Sequence, residues 1–481
     1  MALVFCFQFG NSQSPQIFLS PQQVVAGGST YGSVKPRIVL TRNNIPLVMW
    51  SRANGIIYSS RWNGSGFSAP VQVTPTGVLC YTNSNEGPHI AARGDTVFVS
   101  FFSLPMTSSK IYLVKSIDGG LTWQDTVRAD HQPPATPGYT PAVAIDPLGN
   151  PYVVFEKATQ TMQNPSQMCN RSTDGGQTFS MEVSANAPAP GIPCECCPPM
   201  ILQKNNSVYV MYRNNINNLR NIHLTHSGDS GQSFTQNIQI DSTNWVLNGC
   251  PSAGPEAIWN GDSIFSVWMS QVGGNGRIIL GRMHGGTLQS NRHRIIDYQN
   301  QMSIVQRHPS IAGSGDTLAV CWDDNRANSN ISCFVSFSTS GVSGLGQSVV
   351  WLSDSVFSAT GNQQVPSVAF GNGIFHFVFQ SAFTNEVIYR KGTFTGLSVS
   401  ETHQNLQVTI FPNPGSDFVF VQTSKPGFSY RMLDVKGQEI KSEVRVSGDQ
   451  TELDIQDLPK GIYFFECNFG GERVVRKMVK L

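Results

Sequence analysis

A short apolar run opened by a proline recurs seven times along the chain. The prolines follow one another at spacings of 52 to 58 residues, and they are Pro36, Pro88, Pro141, Pro199, Pro255, Pro309 and Pro366. Thirteen or fourteen residues after each proline a second apolar run ends in an aromatic residue, namely Trp50, Phe101, Phe155, Tyr212, Trp268, Trp322 and Phe379. Turn-forming residues separate the two runs, which predicts a hairpin in every unit.

A third and a fourth strand follow each hairpin, as in the segment from Lys110 to Lys115. Four antiparallel strands repeated at this period predict the blades of a β-propeller. The seventh unit supplies three clear strands and ends near Phe394, whereas the segment from Ile17 to Val25 offers a lone strand before the first unit. We therefore expect a seven-bladed β-propeller whose last blade is completed by the N-terminal strand, with six blades as the alternative.

The composition agrees with an all-β chain. Only 13% of the 481 residues are charged, while 45 are glycine and 28 proline, which suits short strands joined by turns. A net charge of +1 gives no attraction to nucleic acid. Beyond the first nine residues no stretch comes near the roughly 18 apolar residues of a membrane helix, so we expect no transmembrane segment.

The first residues predict export. The run from Met1 to Phe9 is apolar and precedes small and polar residues, which is typical of a signal peptide over residues 1–14. It lacks a basic start, so we interpret it as part of a longer signal; a buried first strand is the alternative. Ten cysteines also suit an exported protein in an oxidising environment.

Three turns share one pattern, in which Ser, Asp, Gly and an aromatic residue recur at fixed positions. A carboxylate at this position accepts backbone N–H groups across the turn, so these residues are expected to hold turns rather than to catalyse. The pattern resembles the Asp-box (BNR-repeat) propellers, the superfamily of sialidases and many relatives, over residues 15–400. The residues are Ser116, Asp118, Gly120, Trp123, Ser172, Asp174, Gly176, Phe179, Ser227, Asp229, Gly231 and Phe234.

The opposite face of the blades carries the candidate ligand-binding residues. They lie directly after the repeated aromatic residues, and they are Arg52, Glu156, Arg213, Asn214, Asp323, Asp324 and Arg326. Arginines mixed with carboxylates suit an anionic sugar or another polar ligand, such as a glycan or a glycoprotein. The alternative is that these side chains pair with one another. No cofactor and no metal are expected.

The resemblance to sialidases implies an arginine triad, a tyrosine paired with a glutamate, and an aspartate acid/base. Arg37 resembles the first arginine, but it occupies a variable position of the repeat that His89 and Glu256 fill elsewhere, and the loop from Pro75 to Gly87 contains no aspartate. We therefore expect a glycan- or protein-binding propeller, with an exo-acting sialidase-type hydrolase as the alternative. Its catalytic candidates are Arg52, Glu156, Tyr212, Arg213, Asp323 and Arg326.

Four cysteines precede the first strands of two neighbouring units. Cys194, Cys196 and Cys197 lie in one segment and Cys250 lies one unit later. They allow two disulfides in three connectivities or a soft-metal site, and export favours disulfides. Cys321 and Cys333 lie on adjacent strands and are placed to form a further disulfide if the strand register allows it.

After residue 404 charged residues become more frequent, and alternating strands predict a separate small β-sandwich over residues 405–481. A Pro-Asn-Pro opening at Pro412, a Gly-Gln turn at Gly437, a Gly-Ile-Tyr-Phe strand at Gly461 and a basic end at Arg473 resemble the C-terminal sorting domain of type IX secretion cargo. An immunoglobulin-like binding module is the alternative. The resemblance implies the outer-membrane type IX machinery as partner and a secreted or surface-attached protein, delivered via the periplasm.

Overall fold

The computed structural model describes residues 16–131, 136–272, 274–297, 303–327, 330–353, 361–395, 408–435, 437–469 and 473–481. The predicted signal peptide lies outside these residues. The chain divides into two compact units, residues 1–396 and residues 397–481. Among the described residues helical structure is limited to one short turn, α1 (Gly28–Tyr31), and three 3₁₀ turns, at Arg42–Asn44, Met106–Ser108 and Gly341–Gly344.

The first unit begins with two strands, and three four-stranded sheets follow. The strands are β1 (Gln16–Leu19) and β2 (Gln23–Gly27). Sheet 1 consists of β3 (Val34–Thr41), β4 (Ile45–Ser51), β5 (Ile57–Arg61) and β6 (Val71–Gln72). Sheet 2 consists of β7 (His89–Arg93), β8 (Thr96–Phe102), β9 (Ile111–Ser116) and β10 (Val127–Arg128). Sheet 3 consists of β11 (Gly138–Ile145), β12 (Pro151–Lys157), β13 (Ser166–Arg171) and β14 (Val183–Ser184).

Four further sheets complete the first unit. Sheet 4 consists of β15 (Ile192–Pro193), β16 (Met200–Lys204), β17 (Ser207–Asn215), β18 (Ile222–Ser227) and β19 (Gln236–Gln239). Sheet 5 consists of β20 (Glu256–Asn260), β21 (Ser263–Val272), β22 (Asn275–His284) and β23 (Ser290–Ile295). Sheet 6 consists of β24 (Arg307–Ser314), β25 (Thr317–Ala327), β26 (Asn330–Ser338) and β27 (Val349–Trp351). Sheet 7 contains β28 (Gln363–Gly371), β29 (Ile374–Ser381) and β30 (Glu386–Thr395).

The N-terminal strands complete sheet 7. Strand β1 pairs antiparallel with β30, with Ile17 opposite Phe394, and β2 pairs with the beginning of the same strand, with Val24 opposite Ile388. This pairing confirms the expectation that the N-terminal segment supplies the outer strand of the last unit. It covers the edge of β30, which would otherwise present unpaired backbone N–H and C=O groups.

The seven sheets pack on one another in order of sequence, and sheet 7 packs on sheet 1. Seven clusters of buried apolar side chains are each shared by two neighbouring sheets, and the cluster of Trp50 and Tyr389 joins sheets 1 and 7. The seven repeated aromatic residues, from Trp50 to Phe379, are fully buried at these interfaces. Each repeat of the sequence therefore forms one sheet and contributes one buried aromatic side chain to an interface between neighbouring sheets.

Four of the first strands carry the same β-bulge at the repeated proline. In sheet 1 the residues from Val34 to Arg37 face only those from Ser51 to Met49 on the next strand, and sheets 3, 6 and 7 repeat this shift. The residue before each of these prolines has a positive φ, namely Lys35 (50°), Thr140 (43°), His308 (47°) and Val365 (55°). Such backbone is strained for residues other than glycine, at a cost of about 1–3 kcal/mol each.

The second unit consists of two antiparallel sheets around its own core. One sheet has the order β31 (Val408–Phe411), β32 (Phe418–Thr423), β35 (Gln450–Asp454). The other has the order β34 (Glu439–Val446), β33 (Phe428–Leu433), β36 (Gly461–Asn468), β37 (Arg473–Lys480). Buried side chains of both sheets, among them Val421 and Phe465, form one apolar cluster, as expected for a small β-sandwich.

Candidate functional site

A cavity of about 340 Å³ lies where the first strands of the seven sheets converge. Its wall contains the repeated prolines of sheets 2 to 7, and Lys35 and Arg37 flank the proline of sheet 1. Four positions directly after a repeated proline also line it, namely Arg37, His89, Met200 and Glu256. The bulges at the prolines belong to this wall, because Lys35, His308 and Val365 are both bulge residues and lining residues.

A cation and an anion from different sheets meet in the wall of the cavity. Arg37 of sheet 1 and Glu256 of sheet 5 form an ion pair in which Nη1 and Oε1 are 2.6 Å apart. The Nε of Arg37 is buried and has no hydrogen-bond partner among the described residues. One edge of the guanidinium is therefore held by Glu256, and one buried N–H donor remains without a partner in the protein.

Burial shifts the acid–base properties of three groups around the cavity. It lowers the pKa of the Lys35 ammonium to about 7, with the Arg37 charge acting in the same direction. It raises the pKa of Glu86 to about 7, against the opposing influence of Lys35. It also lowers the pKa of His89 to about 4, so this imidazole is neutral at pH 7. The Lys35 Nζ donates to the backbone oxygen of Asn85 at 2.5 Å.

A histidine in the wall is fixed on both ring nitrogens. His308 Nδ1 lies 2.7 Å from Asp323 Oδ2, and His308 Nε2 lies 2.9 Å from Asn85 Oδ1. The same Asp323 oxygen accepts the N–H of Val365 at 2.7 Å, so this carboxylate binds two of the bulged first strands. Asp323 thus contacts the cavity-lining side chain of His308, and Arg213 contacts another, since its guanidinium lies 5.1 Å from the centre of the Trp245 ring.

None of the seven predicted ligand-binding residues is among the described residues that line the cavity. Arg326 pairs with Asp297 at 2.5 Å and with the buried Asp324, and its guanidinium lies 4.1 Å from the centre of the Phe334 ring. These three side chains form the internal pairing that was the alternative interpretation. Asp324 and Arg326 lie at the end of β25, the second strand of sheet 6, whereas first strands build the cavity wall, and this is why neither side chain lines the cavity.

Two proposed catalytic residues are buried away from the cavity. Glu156 is fully buried, burial raises its pKa well above the usual range, and its only hydrogen bond among the described residues is from Gln167 Nε2 at 3.4 Å. Tyr212 is also fully buried, and its hydroxyl has no partner among the described residues. Arg52 is half-buried in the turn after β4. None of the three is among the residues that line the cavity.

Arg213 and Asn214 are buried and hold neighbouring loops. The Arg213 guanidinium donates to the backbone oxygens of Ala253, Arg220 and Met269 at 3.0, 2.6 and 2.6 Å. Asn214 Nδ2 donates to the backbone oxygen of Pro190 at 2.5 Å. These residues therefore organise the wall of the cavity from behind instead of facing it.

The residues that face the cavity are not evident from the sequence pattern. Arg37, His89 and Glu256 occupy a variable position of the repeat, and no motif marks Lys35, Asn85 or His308. A usable signal was present, since polar residues at the position after the repeated proline occur where apolar strand residues were expected. The bulges that turn Lys35 and His308 inwards leave no mark in a single sequence.

The three repeated Ser and Asp turns have one hydrogen-bond pattern. In sheet 3 the Ser172 hydroxyl donates to Asp174 at 2.6 Å and accepts the N–H of Gly176 at 2.8 Å, and Asp174 accepts the N–H groups of Gln177 and Thr178 at 2.9 Å each. The turns at Asp118 and Asp229 repeat these contacts. Because these turns join third to fourth strands, they lie at the strand ends opposite the cavity.

The four clustered cysteines come together at the cavity wall, and Cys250 is one of the residues that line it. Cys196 and Cys250 form a disulfide between the segments that precede β16 and β20. Cys194 Sγ lies 3.2 Å from Cys197 Sγ and 3.6 Å from Cys250 Sγ. Cys321 and Cys333 do not form the further disulfide, because Cys321 is opposite Val335 and Cys333 is opposite Asp323; both are buried thiols.

The second unit decides how the protein leaves the cell. Residues 409–481 match the family model described as the secretion system C-terminal sorting domain. The C-terminal unit is a type IX secretion sorting domain. The sorting domain directs export through the outer membrane to the cell surface or the outside, and it makes the type IX machinery a partner of this chain. Within the described residues no helix has the length and apolar character of a membrane span.

Comparisons of the whole chain give only distant similarity. No curated protein matches it in sequence. An ulvan lyase of polysaccharide lyase family PL25 shares 10% identity at a TM-score of 0.49, over 78% of this chain and 98% of its own. The α-L-arabinofuranosidase of Fusarium graminearum shares 16% identity at 0.42, over 72% and 100%. The α-L-arabinanase of Penicillium chrysogenum shares 14% identity at 0.43, over 66% and 98%.

Proposed function

We propose that this chain is an exported, seven-bladed Asp-box β-propeller, over residues 15–400, that binds a carboxylate-bearing sugar of a glycan in its central cavity. The seven sheets of the described residues, their sequential packing and the completion of sheet 7 by β1 and β2 support the blade count. The three repeated turns support the Asp-box relationship. Delivery by the sorting domain places the cavity outside the cell, where glycans are abundant.

The proposal rests on the Nε–H donor of Arg37, which is buried and has no hydrogen-bond partner among the described residues. A buried N–H donor without a partner costs free energy, and a ligand carboxylate would satisfy it with a charge-assisted hydrogen bond. The charged side chains in the wall are Lys35, Arg37, Arg307 and Glu256, which leaves an excess of positive charge. An anionic group is therefore the complementary ligand.

The remaining wall suits a sugar ring. Asn85 and Ser252 offer polar groups for hydroxyls, while Trp245 and the repeated prolines offer apolar surface. The volume of about 340 Å³ lies near the lower end of the range for small-molecule sites, about 300–1,000 Å³. A terminal sugar fits this volume better than a long internal stretch of a polysaccharide.

The decisive experiment is a binding measurement on the full chain. Calorimetry with a glucuronate-terminated oligosaccharide and with its neutral glucose counterpart should detect binding of the acidic ligand only. Arg37→Ala should weaken that binding by about 1.5–3 kcal/mol, the usual value of a hydrogen bond to a charged group. Arg42→Ala is the matched control, because Arg42 pairs with Asp95 and is not among the cavity-lining residues. Equal binding of both oligosaccharides, or an unaffected Arg37→Ala variant, contradicts the proposal.

Hydrolysis of the bound sugar is the second candidate function, and one observation favours it. Lys35 and Glu86 both have pKa values of about 7 next to the cavity, and such values suit general acid–base catalysis near neutral pH. A sialidase-type tyrosine nucleophile is not provided by Tyr389, which is buried and bonded to His376 at 2.7 Å. Turnover of a fluorogenic sialoside or of an exo-glycoside panel, abolished by Arg37→Ala, would support this candidate.

A further inference from the structure

Four cysteine sulfur atoms cluster at the wall of the cavity. Cys194, Cys196 and Cys197 belong to the segment between β15 and β16, and Cys250 precedes β20. Their Sγ atoms all lie within 4.8 Å of one another, with separations of 3.2, 3.6 and 3.9 Å among Cys194, Cys197 and Cys250. A tetrahedral thiolate site with bonds of about 2.3 Å spaces its sulfurs by about 3.8 Å. Cys194, Cys197 and Cys250 therefore have the sulfur spacing of such a site, and the fourth sulfur, of Cys196, is held beside them by its disulfide to Cys250.

The charges around the cluster supply an independent argument. Arg213 has no exposed surface, and its guanidinium contacts only backbone oxygens and the Trp245 ring among the described residues. Among the residues that the structure describes, no carboxylate pairs with this buried charge, although an unpaired buried ion is costly. Its backbone oxygen accepts the N–H of Cys194 at 2.8 Å, which places Arg213 directly beside the cluster.

A second arginine contacts the sulfur itself. Arg220 is nearly fully buried, and its Nη1 lies 3.3 Å from Cys194 Sγ and 3.2 Å from Glu195 Oε2. Four thiolates around a divalent cation carry a net charge of −2. Arg213, Arg220 and the carboxylate of Glu195 together contribute +1 and would offset half of it. Two disulfides are neutral, and they would leave Arg213 buried without any counter-charge.

We propose that the four cysteines, in their reduced form, bind one zinc(II) ion as a tetrahedral Cys₄ site. Binding replaces four S–H protons by four Zn–S bonds and releases the protons to solvent. The Cys196–Cys250 disulfide is the competing state of the same sulfurs. A dithiol reductant converts it by donating two electrons and two protons, which yields two thiols and an oxidised reductant.

The ion would fix the wall of the cavity. It would join the segment between β15 and β16 of sheet 4 to the segment before sheet 5, and Cys250 and Ser252 of the latter line the cavity. Gly254 of this segment already touches the Pro198 backbone so closely that a Cβ would lie 1.9 Å from the Pro198 oxygen. The two segments therefore pack too tightly at this point for any side chain to separate them.

The test uses the full chain, purified without oxygen and with its thiols kept reduced. After dialysis against a zinc buffer, elemental analysis should find one zinc per chain. Cobalt(II) in its place should give the intense visible absorption of a tetrahedral thiolate complex. Cys197→Ser should lose this absorption and bind zinc at least tenfold more weakly, whereas Cys321→Ser, which changes a buried cysteine outside the cluster, should behave like the unchanged chain.

A variant that removes the buried positive charge distinguishes a direct effect on zinc binding from an effect of unfolding. Arg213→Met should keep all four sulfurs but lower zinc affinity about 10- to 100-fold, as expected when a group that supports metal ligands is lost. Circular dichroism verifies that each variant is folded. A folded chain whose four cluster thiols are alkylatable but which takes up no zinc, or takes up only copper(I), overturns the proposal. Zinc binding that Cys197→Ser leaves unchanged overturns it as well.

Discussion

The Arg37 guanidinium lies 2.6 Å from the Glu256 carboxylate, and this ion pair joins the first strands of sheets 1 and 5 at the central cavity. The two residues are far apart in sequence, yet both directly follow a repeated proline. The equivalence of their positions in the repeat brings them to the same level of the cavity. Under the proposed function, the charges of Arg37 and Glu256 would let this part of the wall distinguish acidic from neutral ligands.

Glu256 is expected to limit the affinity for acidic ligands. Glu256→Gln removes the negative charge that competes with a ligand carboxylate for Arg37, so binding of a glucuronate-terminated oligosaccharide should become severalfold tighter. Binding of the neutral counterpart should not change. Calorimetry at two salt concentrations measures both affinities. If the variant binds the acidic oligosaccharide more weakly than the unchanged chain does, Glu256 positions Arg37 rather than competing for it.

The raised pKa of Glu86 predicts a pH dependence of stability. Its pKa is 4.5 ordinarily and about 7 in the folded protein, so the folded state holds the proton more tightly between these values. The associated stability is complete below about pH 4.5 and is lost as the pH rises through about 7. Relative to the unchanged chain, Glu86→Gln should therefore gain stability as the pH rises from 4.5 to 7, which thermal melting curves measure as a growing difference in melting temperature.

Two comparisons make the pH prediction specific. Lys35 does not interfere, because its lowered pKa changes the proton balance between folded and unfolded states only above about pH 7. His89 and His376, whose pKa values burial lowers to about 4, and Glu156, whose pKa burial raises, contribute in the same window, so the prediction concerns the difference between the variant and the unchanged chain. Glu452→Gln, at an exposed position of β35, should leave the decline intact. A Glu86→Gln variant with an unchanged decline would assign the effect to another group.

The Ser172 hydroxyl should stabilise the turn of sheet 3 without affecting ligand binding. It is buried, donates to Asp174 and accepts the N–H of Gly176, so Ser172→Ala leaves a buried donor without a partner. We expect the free energy of unfolding to fall by about 1–3 kcal/mol in urea titrations. Ser180→Ala, at an exposed hydroxyl nearby, should change it by less than about 0.5 kcal/mol. The turn lies at the strand ends opposite the cavity, so an altered glycan affinity in Ser172→Ala would contradict the placement of the binding site in the cavity.

Arg326 should prove to be a stabilising residue and not a ligand-binding one. Arg326→Ala leaves the buried Asp324 without its partner, which costs about 3–5 kcal/mol of unfolding free energy. Affinity for the acidic oligosaccharide should stay within twofold of the unchanged chain. If Arg326→Ala loses affinity for the acidic oligosaccharide while its free energy of unfolding is unchanged, Arg326 is a ligand-binding residue after all.

Deletion of residues 405–481 tests the role of the sorting domain. The shortened chain should accumulate in the periplasm, because the match to the sorting family covers residues 409–481. Cell fractionation with antibodies against the first unit measures this. The variant Cys467→Ser is the control, because it changes one buried residue of the sorting domain without removing its strands. Unchanged export after the deletion would exclude the domain as the export signal.

The sequence by itself determined the repeating architecture, because local rules set it. Period-two strands, turn residues and the aromatic after each proline specify a four-stranded sheet, and the same pattern repeated seven times specifies seven similar sheets. The motifs around Pro412 and Gly437 identified the sorting domain in the same way. These features depend on residues that are near one another in the chain.

Only the tertiary structure decided which side chains meet. The convergence of seven first strands brings Arg37 to Glu256, and the bulge at His308 turns its ring towards Asn85 more than two hundred residues away. The same register places Cys321 opposite Val335 and so keeps it from Cys333. A repeat fixes where each strand lies, but a shift of one residue at a bulge decides which face a side chain occupies.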